Sequence, residues 1–86
     1  MKFTFCGGNQ YIVVIISEDR QKITLATERT RYKLQDVSDK FYGTIPNDKE
    51  NAEQEKQKCL LMSEKEYVEL VINNFKKLGY SLIKKE

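Results

Sequence analysis

The chain has no histidine, no tryptophan, one proline and two cysteines among its 86 residues. Without histidine, the usual side chain for proton transfer near neutral pH is missing. His-based catalysis and His-ligated zinc are therefore excluded. Cys6 and Cys59 cannot build the multi-bridge framework of a small secreted domain, and they form no C-x-x-C pair. A bridge between them would close a long loop, worth ~4 kcal/mol in the chain-entropy model. The reading adopted is two thiols in a reducing compartment. No apolar run approaches the ~18 residues of a membrane-spanning helix. No Asn-x-Ser/Thr acceptor occurs, and Lys2 to Phe5 opens as a strand pattern rather than as an apolar signal region. The expected location is cytoplasmic.

A dominant charge is also lacking. Fifteen Lys and Arg stand against thirteen Asp and Glu, a formal net charge of +2. Nucleic-acid-binding domains usually concentrate a larger basic excess. What is present is ordinary for a soluble globular protein: 33% charged and 40% hydrophobic residues. The length suits a single domain over residues 1–86. Such a domain buries roughly 60–65% of its unfolded surface, so its core is thin. A large enclosed substrate pocket is hard to build from so few residues, which favours binding modules, regulators and small subunits.

Along the chain, Lys2 to Cys6 alternates, with Phe3 and Phe5 on one face. Gly7-Gly8-Asn9 supplies residues that tolerate the positive φ of a tight hairpin. Tyr11 to Ile16 is six apolar residues rich in β-branched types, the strongest strand signal present. Ser17 to Gln21 is polar and reads as a second turn, and Lys22 to Thr27 alternates again. These segments predict a three-stranded antiparallel meander with Tyr11–Ile16 at its centre. The apolar parity then changes. Either a bulge or turn near Glu28–Thr30 restores the face, or a helix begins. Leu34, Val37 and Phe41 have helical spacing and Gly43 can stop it, which predicts a short helix from about Leu34 to Tyr42.

Residues 46–58 form the one clear stretch of low hydrophobicity and read as a mobile polar surface loop. Cys59-Leu60-Leu61-Met62 reads as a short apolar strand. Ser63 is placed to cap a helix, with Glu66 at the reciprocal position of a capping box. Val68, Val71, Ile72, Phe75 and Leu78 form one apolar stripe. Lys76 and Lys77 suit the carboxy-terminal end of the helix dipole, and Gly79 suits a Schellman turn. This predicts a helix over 64–78, followed by a last strand at Tyr80–Ile83. The expected class is α+β, in the order β-β-β-(short α)-loop-β-α-β. An antiparallel-rich sheet of about five strands carries one long helix on one face.

The central strand poses the functional question. Ile12, Val14 and Ile16 point one way, and Tyr11, Val13 and Ile15 the other. A sheet with one wet face should alternate apolar and polar residues, and this strand does not. Burying each Val or Ile is worth ~1.5–3 kcal/mol, so something should cover both sides. Either the short helix and its loops cover the second face, or a partner protein or second copy packs on Tyr11, Val13 and Ile15.

A basic and aromatic group is the alternative: Arg29, Arg31, Tyr32 and Lys33, joined by Lys84 and Lys85 and also by Lys76 and Lys77. Arg can pair with phosphate and Tyr can stack on a base, although Glu28 and Asp36 flank the first cluster. Catalytic patterns are weak. Glu18 with Asp19, and Asp36 with Asp39, read as water-facing carboxylates. Cys6 has no histidine to activate it. Gly7-Gly8 lacks the G-K-[ST] of a phosphate loop, and no EF-hand spacing exists. No cofactor and no metal site is expected. The reading is a non-enzymatic protein-interaction module, with a small nucleic-acid-binding domain as the alternative.

Overall fold

The structure is a computed structural model that describes residues 1–44 and 52–86. Strands β1 (Lys2–Gly7), β2 (Gln10–Ile16) and β3 (Ile23–Thr27) form the expected meander. Gly8 and Asn9 join β1 to β2 with φ of 55° and 63°. Two successive positive φ values match the right-handed twist of the flanking strands, which is why Gly-Asn suits this turn. In the second hairpin, the Ser17 hydroxyl accepts the Lys22 N–H at 2.9 Å. The Asp19 carboxylate accepts from the Ser17 hydroxyl at 2.6 Å and from the Gln21 N–H at 3.0 Å.

The parity change after Thr27 is made by a single 3-10 turn, Glu28–Thr30. Thr27 and Thr30 cap it reciprocally, and Arg31 and Tyr32 follow with φ of 53° and 60°. The chain then enters β4 (Gln35–Asp36), which pairs with β3. Helices α1 (Ser38–Thr44), α2 (Ala52–Leu61) and α3 (Glu64–Lys77) follow, and β5 (Ser81–Lys85) closes the chain. The sheet is antiparallel throughout, in the order β4-β3-β2-β1-β5. The fold is α+β with five strands and one longer helix, α3, that contacts β5.

Three local expectations need correction. Cys59 to Leu61 end helix α2 rather than form a strand, and the fourth strand is β4 instead. Residues 52–58 of the expected mobile loop belong to α2; residues 46–51 lie outside the described residues. The upstream Ala, Glu, Gln and Lys are all strong helix formers, and their propensity extends through the apolar run. The short helix begins at Ser38 rather than Leu34, because residues up to Asp36 pair with β3.

Helix α3 follows the predicted signals closely. The Ser63 hydroxyl accepts the Glu66 N–H at 3.2 Å. At the other end the Tyr80 N–H reaches the Phe75 carbonyl and the Gly79 N–H the Lys76 carbonyl, both at 3.0 Å. Gly79 has φ of 92°, the left-handed turn such a Schellman ending requires.

The core lies between the sheet and the helices. Phe3, Phe5, Ile12, Val14, Ile16 and Ile23 are buried from the sheet side. Phe41, Tyr42, Cys59, Tyr67, Val71 and Phe75 meet them from α1, α2 and α3. Phe75 stacks on Phe5 at 4.6 Å between ring centroids and on Phe41 at 6.1 Å. The short helix therefore shares a sheet face with the long one.

Candidate functional site

The strand register places the candidate residues in rows. Lys2, Ile15 and Thr24 are cross-strand partners, then Thr4, Val13 and Ala26, then Cys6 and Tyr11. Each row lies on the face opposite Phe3, Phe5, Ile12 and Val14, because successive residues of a strand point to opposite sides. We call this the outer face. Tyr11 is 53% exposed and Ile15 36%, and Val13 is half-buried between them. Among the described residues, the helices give their buried side chains to the inner cluster. The two sides of β2 are thus equally apolar in sequence and unequally covered in structure.

Lys2, Thr4, Thr24 and a half-buried Cys6 flank the apolar ridge of β2, with the buried Ala26 beside Val13, so the exposed part of the ridge is at Tyr11 and Ile15. Cys6 sits on this outer face and Cys59 in the core, and the two form no disulfide. The ridge is one strand wide, a shape that suits packing against another surface rather than enclosing a small molecule.

The basic residues divide into two groups. Arg29, Arg31, Tyr32 and Lys33 are all exposed around the 3-10 turn at the end of β3. Lys84 and Lys85 lie on β5, on the far side of β2 and β1. Three inter-strand steps separate β3 from β5, roughly 14 Å. Lys84 is paired with Glu86 at 2.8 Å, and Lys2 approaches the same carboxylate at 3.7 Å. Lys76 and Lys77 end α3, the helix that contacts β5. The structure thus gathers lysines along one sheet edge and leaves the arginine turn apart from them.

Two of the carboxylates considered for proton transfer, Asp19 and Asp36, have structural partners. The Asp36 carboxylate accepts from the Ser38 hydroxyl at 2.6 Å and from its N–H at 2.9 Å, fixing the entry to α1. These bonds hold Asp36 below the usual carboxylate range, and the bonds from Ser17 and Gln21 do the same for Asp19. Both groups are thereby kept ionised as acceptors, the opposite of what a general acid requires.

One polar cluster escaped the sequence reading. Arg20, in the β2–β3 turn, donates to the carbonyls of Cys59 at 3.0 Å and Met62 at 2.7 Å. Its guanidinium also lies 4.5 Å from the Tyr67 ring centre. The Tyr67 and Tyr42 hydroxyls are 2.9 Å apart, and Tyr42 donates to the Arg20 carbonyl. Burial raises both hydroxyls above the ordinary tyrosine range. Arg20 adds a charged donor at the end of α2, where the Cys59 carbonyl also accepts the Met62 N–H at 3.4 Å, so the cluster ties α2 to the sheet. Its separation in sequence, 42 residues from Arg20 to Met62, hid it from local pattern reading.

Comparison with protein-family models, with curated proteins and with solved structures finds no match.

Proposed function

We propose that this protein is a non-enzymatic interaction module of the cytoplasm, a small regulator or subunit that binds another protein through the outer sheet face. The supporting observation is that β2 is apolar on both sides while the helical layer lies on one. Tyr11, Val13 and Ile15 are the contact residues. The occupant to test first is a second copy of this chain, since a net charge of +2 sets little repulsion between copies.

The size of the face bounds the affinity. Strands β1 to β3 over five residues span roughly 15 by 17 Å. That is well below the ~800 Å² per partner of a standard interface. A weak, reversible association follows, visible at high micromolar concentration rather than at nanomolar. Amide spectra recorded across that range test it. Shifts and broadening confined to the outer face support the reading, and spectra unchanged with concentration remove the second copy as occupant.

A further inference from the structure

We infer that the open edge of β5 is a second binding site, built to pair with an extended acidic peptide as a sixth strand. The two sheet edges differ. At one, β4 is only two residues long and is followed at once by α1. At the other, β5 offers five residues, four of them exposed. Lys2 and Glu86 exchange both backbone hydrogen bonds, at 3.1 and 2.7 Å. Pairs alternate along an antiparallel ladder, so the N–H and carbonyl of the neighbouring Lys85 point away from β1. Among the described residues β5 pairs only with β1, which leaves these groups to another strand.

Two further features give the partner its chemistry. A groove of about 190 Å³ runs beside β5 against α3, lined by Ile72, Lys76, Tyr80, Ser81 and Leu82. Ile72, Tyr80 and Leu82 are partly buried against the core, so the groove has an apolar floor. An added strand would send every second side chain over that floor. Lysines occupy the surroundings: Lys76 and Lys77 at the end of α3, Lys84 and Lys85 on β5. Glu86 is engaged by Lys84 and Lys2. Apolar and acidic side chains in alternation complement this edge. A second copy pairing through β5 would instead bring the lysines of both copies together.

Edge lysines and bulges also serve to keep strands apart, and the register of β5 on β1 shifts between Thr4 and Phe5. Yet Ile83 remains 54% exposed on the same edge, an apolar side chain that a purely protective edge would not offer.

The test uses the full chain and a fluorescein-labelled peptide of three Glu-Val repeats, read by anisotropy at low ionic strength. The comparators are a Lys-Val peptide and the Glu-Val peptide with its backbone nitrogens methylated. We expect saturable binding of the Glu-Val peptide, weakened at least about tenfold by methylation, which removes donors but keeps charge. Lys76→Glu with Lys85→Glu should weaken it by a similar factor and admit the Lys-Val peptide instead. No saturation up to about 1 mM, or equal binding of the methylated peptide, overturns the site and leaves the lysines as strand repellents. The peptide comparison on the unaltered chain decides the question even if the double variant folds poorly. Tyr11→Ser should leave this binding unchanged, so its outcome is separate from that at the outer face.

Discussion

Ile15 and Ile16 are neighbours of the same type on the same strand, yet they lie in different environments. Ile16 is 1% exposed among aromatic rings and helix side chains, whereas Ile15 is 36% exposed beside Lys2 and Thr24. The difference is one of cover, not of sequence chemistry. A residue's apolar character states what it could bury; the layer opposite decides whether it does. On the inner side that layer belongs to the chain itself. On the outer side we propose that another protein supplies it.

The largest expected effect tests the covered side. Ile16→Ala should cost about 2–5 kcal/mol in urea unfolding, the range for a fully buried Ile with no room to relax. Ile15→Ala should stay within about 1 kcal/mol, the span of strand preference at a partly exposed site. Equal losses at the two positions would mean that something in the chain already covers the outer face, and the comparison would fail.

A smaller effect comes from the tie between the sheet and α2. Arg20→Met removes the donor to two helix-end carbonyls and the contact with the Tyr67 ring. It should cost about 1.5–3 kcal/mol, the value of hydrogen bonds from a charged group. Amide exchange should show α2 opening more readily than β2. Uniform loss of protection would show that α2 and the sheet unfold as one unit.

Tyr67→Phe is milder still near neutral pH, at about 0.5–1.5 kcal/mol, and it carries a pH signature. Both hydroxyls have folded-state pKa values raised above the ordinary 10.0 by burial. Their contribution is complete below that value. Above it the unfolded chain ionises first, so stability falls as pH rises toward the folded-state values. Tyrosinate absorbance should show two of the five tyrosines titrating only as the protein unfolds. Early titration of all five would contradict the buried pair.

How much of this was legible in the sequence varies with distance along the chain. Helix α3 was readable because Ser63, the apolar stripe and Gly79 each act on residues only a few positions away. The meander was readable because β2 is long, its first turn carries Gly8 and Asn9, suited to positive φ, and its second turn is a polar break, although there the positive φ falls on Arg20. The run Cys59–Met62 predicts a strand, whereas Cys59 to Leu61 end α2, because a short apolar segment fits a buried strand or a helix end equally well. Strand β4 escaped notice because Gln35 and Asp36 carry no apolar signal and pair only through the backbone. The Arg20 cluster joins four distant segments, which no local pattern can encode. The apolar outer residues of β2 were visible as a surplus, while their exposure required knowing that α1 joins α3 on the other side.

Light scattering from low to high micromolar concentration, with an apolar dye present, tests the open face most directly. We expect reversible self-association, or dye fluorescence from an accessible apolar ridge in a monomer. Either signal should vanish in a Tyr11→Ser, Val13→Thr, Ile15→Thr variant that still folds. A strict monomer that binds no dye, indistinguishable from that variant, would contradict an interaction face on the outer side of the sheet.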